Sequence, residues 1–433
     1  MRERSFQPSS PPGRLPLGRL LARPWRDLAR RAGEVGDEFR TPVLMVGGCV
    51  RDLLLGRPVA DLDIMVQGDA RAVAARLAER VGASGHYDRR FLTAALYLPD
   101  GTHLDVATTR VESYPRAGAL PEVQPAPLEE DLRRRDFTIN AMAVFLNRRR
   151  WGEVLDPFGG RDDLRRRVLR VIHDGSFADD PIRALRGVRF ESRLGFRMDA
   201  GAERLARRAA RQGRLATVGP DRLREELILL LQEPAPERAL ARAAELGLLR
   251  AIHPRLRPDA PTLRALGGVA RQIAWFARIA PGQSPTGWLV RLLVALAGLG
   301  PAARGSVGSR LNLSRRHNQA LQAFARSKRI LKALDRPGVR RSAVYHALHG
   351  TAPEALLALV AVSRSPRLRR AVELYFRELR FMRPHITGKD LQALGLKPGP
   401  AFGVALQAVR DARLDGLVAT RREELGLVRQ VLR

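Results

Sequence analysis

The sequence has a single cysteine, Cys49, only four lysines and an aromatic fraction of 5%. A lone cysteine excludes an internal disulfide framework and a multi-cysteine zinc site, and a reducing cytosol is the expected compartment. Long apolar runs are also missing, because Leu292–Leu299 and Leu356–Val362 fall short of the roughly 18–20 residues that span a bilayer. We therefore expect no membrane span.

Acidic side chains are few relative to basic ones. The 433 residues carry 76 Lys and Arg against 45 Asp and Glu, which gives a formal net charge of +31 and a sequence pI near 11.6. Such a surplus over a folded chain indicates a polyanionic partner, most simply nucleic acid. An anionic membrane surface is the alternative, but no aromatic-rich basic amphipathic helix is evident. No protein partner is implied.

The N-terminal segment lacks the apolar core of a signal peptide, since residues 1–31 contain eight Arg, five Pro and two acidic residues. We interpret residues 1–25 as a disordered basic tail, with a transit peptide as the alternative. The remaining length is too great for one compact domain and predicts roughly two to four domains.

From residue 26, short apolar runs alternate with helical stretches, and beyond Asp162 the pattern is almost wholly helical. The expected fold is α+β, with a mixed sheet of about five strands followed by a helical remainder. The predicted strands are Thr41–Val46, Leu62–Val66, Thr138–Leu146 and Glu153–Leu155, with a hairpin of Phe91–Leu98 and Thr102–Ala107; the predicted helices include Val50–Leu55 and Ala70–Val81.

Two glycines separate a predicted strand from a predicted helix in Val46-Gly47-Gly48-Cys49-Val50-Arg51-Asp52. A turn of this kind lets backbone N–H groups approach a phosphate closely, and Arg51 adds a cation in the first helical turn. The segment therefore predicts a phosphate-binding turn at Gly47 and Gly48.

Asp61 and Asp63 lie two residues apart at the next predicted strand, so both carboxylates project from one face. Such a pair repels itself unless a divalent cation lies between its members, an arrangement that suits Mg²⁺ bridging nucleotide phosphates. An isolated Asp-x-Asp is more often a pair of solvated surface acids. Its position shortly after the glycine turn favours metal binding here.

Three consecutive arginines, Arg133–Arg135, precede another predicted strand and are followed by Asp136. An isolated triplet is usually a solvated charge run, whereas guanidinium groups also match phosphate oxygens and can clamp a triphosphate. Asn140 follows four residues after Asp136, and the sequence leaves its role open.

Together these motifs resemble the DNA polymerase β-like nucleotidyltransferases, specifically the class II tRNA nucleotidyltransferase and bacterial poly(A) polymerase family. The resemblance is dense across residues 42–231, thin through the helical middle, and returns at Gly388–Leu391 and Gly395–Gly403. The further segments that carry it, in chain order, are Glu130–Ala143, Asp156–Gly160, Asp179–Phe190 and Asp221–Leu227.

The resemblance implies template-independent addition of C and A from CTP and ATP to the tRNA 3′ end, with Mg²⁺ as cofactor and pyrophosphate as product. It implies a catalytic head at residues 26–160, a helical neck at 161–250, a body at 251–384 and a tail at 385–433 that contacts the tRNA elbow. Full CCA addition, CC-only or A-only addition and poly(A) synthesis share these motifs. A non-catalytic RNA-binding protein is the remaining alternative.

The segment from Asp180 predicts a helix. Because each residue of a helix turns by about 100° around the axis, Asp180, Arg183 and Arg186 form a polar stripe on one side. A carboxylate accepts from the exocyclic amine of C or A, whereas U and G present a carbonyl oxygen to it. The resemblance implies that Asp180 and Arg183 select the base in this way; an ordinary helical salt bridge is the alternative. Arg189 falls on the apolar side, which indicates a buried structural arginine, although the resemblance implies that it borders the nucleotide.

The resemblance also implies that Arg135 contacts the nucleotide and that Asp136 orients Arg135. A third carboxylate is expected for the primer hydroxyl, and Asp105 is our candidate, with a surface acid as the alternative. The segment Arg110–Pro127 shows neither helix nor strand period and is interpreted as a loop that closes over the site. In Thr387–Gly403, glycines beside short helices predict phosphate contacts to RNA or plain helical turns.

Overall fold

The computed structural model describes residues 13–113, 122–395 and 399–431. The chain divides into two compact units, which we call the head unit (Met1–Glu233 with Glu245–Ala251) and the helical unit (Pro234–Ala244 with Ile252–Arg433). This division is coarser than the four folded domains that the sequence predicts. Those four domains stay a prediction.

A mixed sheet of seven strands forms the centre of the head unit, in the order β3-β4-β5-β2-β1-β8-β9. The pair β2–β5 is parallel, and the other neighbours are antiparallel. The strands are β1 (Val43–Val46), β2 (Leu62–Val66), β3 (Ser84–Asp88), β4 (Thr93–Tyr97), β5 (His103–Thr108), β6 (Arg110–Ser113), β7 (Glu122–Pro125), β8 (Ala143–Phe145), β9 (Val154–Leu155), β10 (Val168–Leu169) and β11 (Arg197–Met198).

The α+β prediction is confirmed, but the estimate of about five strands is too low. The missed strand is β3, whose Ser-Gly-His-Tyr-Asp sequence has no apolar alternation because it is an edge strand with largely exposed side chains. The predicted strand Thr138–Leu146 is also shorter than expected. Thr138–Asn140 forms a 3₁₀ turn, in which Thr138 Oγ1 donates to Asp163 at 2.7 Å, and only Ala143–Phe145 pairs in the sheet.

The expected disorder of residues 1–25 is wrong for residues 13–25. The Leu15 N–H donates to Gly152 O at 2.7 Å, the Val154 N–H donates to Gly13 O at 3.1 Å, and Leu17 is fully buried. Backbone pairing and burial of this leucine overcome the basic composition that suggested disorder. Residues 1–12 lie outside the described part of the chain.

The segment Arg110–Pro127 contains a two-stranded antiparallel ribbon, β6 with β7, where the sequence predicted no strand. Each strand has four residues of which only one is a valine, so no apolar period marks the ribbon. Residues 114–121, the centre of the predicted closing loop, lie outside the described residues.

Helices surround the sheet and build the rest of the head unit. In α8, Gly187 faces the fully buried Phe137, because a Cβ at Gly187 would lie 2.9 Å from the Phe137 ring. This close packing brings α8 against the segment that follows Arg135. The helices are α1 (Leu17–Leu20), α2 (Arg23–Glu38), α3 (Gly48–Leu54), α4 (Ala70–Val81), α5 (Leu128–Arg133), α6 (Gly160–Arg166), α7 (Ser176–Asp179), α8 (Arg183–Leu194), α9 (Ala200–Arg211) and α10 (Pro220–Gln232).

The helical unit contains α11 to α23 and, in its described residues, no named strand. Near the C-terminus, Ile386, Leu391 and Val428 share one buried apolar cluster. No helix in the described ranges is long and apolar enough to cross a membrane. The helices are α11 (Pro236–Glu245), α12 (Ala260–Gly267), α13 (Val269–Ile279), α14 (Gly287–Ala295), α15 (Pro301–Arg310), α16 (Arg315–Ala325), α17 (Ser327–Leu334), α18 (Arg341–Leu348), α19 (Pro353–Ser363), α20 (Pro366–Arg377), α21 (Gly388–Ala393), α22 (Pro400–Leu414) and α23 (Arg421–Val431).

Candidate active site

A cavity of about 620 Å³ opens in the head unit between the β1–α3 turn, β2, the segment after α5, α8 and α10. Most of the predicted site residues line it, whereas Asp61, Asp105 and Arg189 are not among its lining residues. The predicted site residues that line the cavity are Gly47, Gly48, Arg51, Asp63, Arg135, Asp180, Arg183 and Arg186.

The two glycines form the turn between β1 and α3. Gly47 has a φ of 74°, a left-handed conformation that favours glycine. A Cβ on Gly47 would also lie 2.8 Å from Nη1 of Arg135, so the missing side chain makes room for that guanidinium. Gly48 is the first residue of α3, two residues earlier than the predicted start of the helix.

The carboxylates of interest meet on two neighbouring strands. Asp63 on β2 is in register with Asp105 on β5, and Asp61 stands just before β2. Burial raises the pKa of Asp63, and the nearby Asp105 and Asp61 add to the effect, while Arg135 opposes it. The Asp105 side chain is half exposed and its Oδ1 lies 3.3 Å from His103 Nε2. The parallel pairing therefore places Asp105 beside Asp63, and of the three acids only Asp63 lines the cavity.

The donor set suits a hard divalent cation. The described residues contain no group of three or more His, Cys, Asp or Glu side chains arranged to hold a metal by themselves. Mg²⁺ usually takes only one or two protein carboxylates and completes its shell with water and substrate phosphates. Burial is the main cause of the raised pKa of Asp63, and repulsion from Asp105 and Asp61 adds to it. A bound cation would relieve this repulsion, so Asp61 and Asp63 fit this ion.

Asn140 joins two ion pairs inside the cavity wall. Arg51 binds Asp52 through Nε and Nη2, both at 2.9 Å, and donates from Nη1 to Asn140 Oδ1 at 2.9 Å. Asn140 Nδ2 donates to Asp136 Oδ1 at 3.0 Å, and Arg186 donates to Asp136 Oδ2 at 2.9 Å. The role that the sequence left open for Asn140 is thus a bridge between Arg51 and Asp136.

Asp136 is buried and remains ionised because of its partners. Burial alone would raise the pKa of its carboxyl, but the Arg186 guanidinium and the Asn140 amide hold that pKa below the ordinary value. In turn, Asp136 raises the pKa of Arg186. The resemblance assigned Asp136 to orienting Arg135, whereas its hydrogen-bonding partners are Arg186, Asn140 and its neighbouring Phe137 N–H.

Arg135 is oriented by Asp131, for which the sequence predicted no role. The Asp131 side chain is almost fully buried and accepts from Arg135 Nη2 at 3.1 Å and from Arg134 Nη2 at 2.7 Å. These two arginines hold the pKa of Asp131 below its usual value against the effect of burial. Arg135 Nε is buried without a hydrogen-bond partner in the described part of the chain.

Asp180 lies before α8, not within it. Its φ of −132° and ψ of 94° are extended, and the helix begins only at Arg183, so the predicted helical stripe is wrong at its first member. Pro181 explains the break, because proline disfavours helical conformation at the residue before it. Asp180 Oδ2 accepts from Arg222 Nη2 at 2.8 Å and lies 3.9 Å from Arg183 Nε.

Asp180 and Arg222 each keep one polar atom that could bind a ligand. Asp180 Oδ1 and Arg222 Nη1 are both buried without a hydrogen-bond partner among the described residues. Arg183 donates to Ser176 Oγ at 3.1 Å and to Arg134 O at 2.6 Å, which fixes its guanidinium at the cavity wall. Asp180 therefore retains one unused acceptor next to firmly held donors.

Arg189 is buried on α8 and pairs with Glu226 at 2.5 Å, as its helical position predicted. Glu226 lines the cavity, whereas Arg189 does not. Sequence reasoning missed Asp131 and Arg222 as parts of the site. The three- and four-residue spacing from Asp131 to Arg134 and Arg135 is a signal that could have found the first. No local signal joins Arg222 to Asp180, which lie 42 residues apart.

Comparisons with known proteins indicate one family. Residues 43–170 match the family described as "Poly A polymerase head domain", and residues 195–259 match "Probable RNA and SrmB- binding site of polymerase A". The A-adding tRNA nucleotidyltransferase of Geobacter sulfurreducens is 41% identical over 94% of this chain, which spans 47% of that relative's length. The CC-adding tRNA nucleotidyltransferase of Deinococcus radiodurans is 35% identical, over 95% of this chain and 94% of the relative.

Solved structures of similar enzymes share the fold over nearly the whole chain. The Thermotoga maritima CCA-adding enzyme complexed with tRNA has a TM-score of 0.78 at 30% identity and covers 96% of this chain and 98% of its own. A CCA-adding enzyme complexed with CTP has a TM-score of 0.82 at 30% identity, with coverage of 96% and 97%. The Deinococcus relative is similar over nearly the full length of both chains, and the solved structures share the fold that holds the head sheet and its carboxylates. The chain therefore belongs to the class II tRNA nucleotidyltransferase family and is a nucleotidyltransferase.

Proposed function

We propose that this enzyme adds C, A or both from CTP and ATP to the 3′ end of tRNA without a template and releases pyrophosphate. The observation that carries the proposal is one cavity in which Asp63, Arg135 and the Asp180–Arg183 pair all face the same space. These residues supply the groups that a nucleoside triphosphate needs at its phosphate end and at its base. The similar enzymes named above act on tRNA or bind CTP, which supports the same substrates here.

The phosphate end of the nucleotide is bound by arginines that the fold holds in fixed orientations. Arg135 is anchored to Asp131 through one nitrogen, which leaves Nε and Nη1 for phosphate oxygens beside the Gly47 turn. Arg51 is anchored to Asp52 and Asn140 and keeps further N–H groups. Anchored guanidinium groups lose little side-chain entropy on binding, so each contact with the triphosphate is more favourable.

The metal proposed for the site is Mg²⁺, held by Asp61 and Asp63. When bound, it supplies positive charge that lowers the pKa of the primer hydroxyl and stabilises the pyrophosphate leaving group. Asp105, in register with Asp63, is proposed as the third carboxylate, which accepts the hydroxyl proton or orients the primer.

The base is selected by Asp180 and Arg183. The unpartnered Oδ1 of Asp180 accepts a hydrogen bond from the exocyclic amine of cytosine or adenine, and Arg183 donates to the adjacent ring acceptor. Uracil and guanine would direct a carbonyl oxygen at the carboxylate. Arg222 holds Asp180 through its other oxygen and so keeps the acceptor in one orientation.

Several parts of the proposal concern regions away from the cavity. The helical neck at 161–250, body at 251–384 and tail at 385–433 are proposed to carry tRNA contacts, with the tail at the elbow. A reducing cytosol remains the proposed compartment.

The activity is tested by incubating the full chain with tRNA transcripts that end before C74, after C75 or after A76, with CTP or ATP. Full CCA addition is identified when C is added to the transcript that ends before C74 and A is added to the transcript that ends after C75. Only one of these reactions identifies a CC-adding or an A-adding enzyme, and repeated adenylation past A76 identifies poly(A) synthesis. No incorporation into any transcript would contradict the proposal, whereas tRNA binding without incorporation would indicate a non-catalytic RNA-binding protein.

A further inference from the structure

A second cavity, of about 350 Å³, lies in the helical unit where the α12–α13 turn meets the α19–α20 turn. Its charged lining is entirely basic, with no Asp or Glu among the described residues that form its wall. The four guanidinium groups belong to Arg264, Arg271, Arg364 and Arg369. We call this feature the arginine cavity.

Arg369 is held in a fixed orientation at the wall of the arginine cavity. Its guanidinium stacks over Trp275, with 4.2 Å to the ring centroid, and Nη1 donates to Gln272 Oε1 at 3.1 Å. Stacking and one hydrogen bond leave the other N–H groups of Arg369 available for a ligand. A preorganised guanidinium loses less entropy when it binds an oxyanion.

The other three arginines are exposed, and within the described ranges none has a carboxylate within salt-bridge distance. Two acids of the neighbouring segments are already engaged, and a third, Glu237 of α11, lies against Gly267 at the α12–α13 turn. Asp259 caps α12 through the Thr262 N–H and is influenced only weakly by Arg264. Asp335 accepts from Ser365 Oγ at 2.7 Å, and that serine caps α20. Within the described ranges, no ion pair of these three arginines cancels their positive charge.

Four like charges around one cavity repel one another, which costs stability unless an anion binds there. Guanidinium forks match the geometry of phosphate oxygens and are weakly hydrated, so phosphate is the anion that best fits this lining. By contrast, every arginine named in the head cavity has an acidic or backbone partner. In the arginine cavity, by comparison, none of the described lining residues is acidic.

We propose that the arginine cavity binds a phosphate group. The ligand class is a phosphate oxyanion, supplied either by an RNA backbone or by a small free phosphate. The net charge of +31 favours the RNA backbone, and this source rests on the proposed function of the enzyme. The site would hold part of the tRNA by its backbone, without reading its sequence.

The first test measures tRNA affinity of the full chain over a series of salt concentrations. The variant Arg271→Ala/Arg364→Ala removes two exposed cavity arginines, and the matched control Arg329→Ala/Arg336→Ala removes two exposed arginines of the same unit outside the cavity lining. We expect the cavity variant to bind about tenfold more weakly at low salt. We expect its log–log salt slope to fall by about one to two units, with the control close to wild type.

A charge-preserving variant separates geometry from charge. Arg271→Lys/Arg364→Lys keeps both positive charges but loses the planar forks, so it should keep most of the salt slope while losing affinity. An equal loss of slope in the alanine variant and the matched control would overturn the proposal. That result would show a diffuse basic surface and no specific phosphate site.

The second test uses inorganic phosphate and pyrophosphate without RNA, with the number of bound ions measured by calorimetry. If the cavity variant binds one phosphate ion fewer than the control and its tRNA salt slope is unchanged, the ligand is a small free phosphate. No difference in either test overturns the proposal. Incorporation by wild type at saturating tRNA is measured in parallel, so failure of the proposed enzyme function is distinguished from failure of this site.

Discussion

The head cavity and the arginine cavity use the same residue type in opposite ways. In the head unit, arginines are paired with carboxylates: Arg186 with Asp136, Arg135 with Asp131 and Arg222 with Asp180. In the helical unit, the cavity arginines have no acid in their lining. Pairing gives up net charge but fixes the direction of each guanidinium, whereas an unpaired cluster keeps its charge. The first arrangement suits recognition of one small ligand, and the second suits attraction of a polyanion.

The acids Asp61, Asp63 and Asp105 are the exception in the head unit, because they gather together without a matching set of arginines. We expect Asp61→Ala or Asp63→Ala to lower kcat by about a thousandfold or more, since the metal proposed for the site would lose a ligand. The affinity for tRNA should stay within a few-fold of wild type. Single-turnover incorporation and a binding titration measure the two quantities.

The matched control for this pair is Asp100→Ala, which removes an exposed acid from the β4–β5 turn of the same sheet. It should retain activity close to that of wild type. Full activity in both Asp61→Ala and Asp63→Ala would contradict their assignment as metal ligands.

Removing an arginine that is paired with a buried carboxylate should lower the free energy of unfolding. Arg186→Ala leaves the buried Asp136 carboxylate without its main partner, and we expect a loss of about 3 kcal/mol in the free energy of unfolding. Arg193→Ala is a useful comparison, because it removes a half-exposed arginine of α8 that pairs with the buried Glu233 outside the cavity. Denaturant titration of both variants checks the magnitude, and an Arg186→Ala protein as stable as wild type would contradict it.

The same pairing predicts the acid dependence of stability. Because the folded-state pKa values of Asp131 and Asp136 are below their ordinary values, both contribute stability that is present above the unfolded-state pKa of about 3.9. That contribution is lost as the pH falls through the lower folded-state values. In Asp136→Asn, the free energy of unfolding should therefore fall less steeply below pH 4 than in wild type. An unchanged slope would show that Asp136 is not held in its ionised form.

Base selection is expected to give a smaller effect. Asp180→Ala removes the acceptor that opposes the carbonyl oxygen of uracil, so the ratio of kcat/KM for CTP over UTP should fall by about tenfold to a hundredfold. Arg222→Ala should also lower this ratio, because Asp180 then loses the partner that fixes its orientation. If both kcat/KM values fall by the same factor and the ratio stays constant, the pair has only a structural role.

The smallest expected effect concerns the room that Gly47 leaves for Arg135. Gly47→Ala should raise the KM for the nucleotide several-fold, because its Cβ would displace the Arg135 guanidinium. The matched control is Gly56→Ala, which has a similar positive φ of 65° but meets no atom within 4 Å. Both variants carry the backbone strain, and only Gly47→Ala should change KM. Equal KM values would show that the displacement has no effect on binding.

Patterns confined to a short stretch of sequence predicted local structure well. The bounds of β2 and of α4 are those expected from a short apolar run and from the helical period, because β2 is buried at four of its five positions and α4 buries one face along its length. The Asp-x-Asp pair and the glycine turn could likewise be found by inspection, since their chemistry depends on neighbours in the sequence.

By itself, the sequence determined the α+β class, the family and the chemical groups available for nucleotide binding, because these follow from composition and from short ordered motifs. Only the tertiary structure decided which groups are paired. Asn140 bridges Arg51 and Asp136, Arg222 holds Asp180 across 42 residues, and the arginine cavity forms where two distant helical turns meet. Whether a charge is neutralised depends on distance in space, and sequence separation does not report that distance.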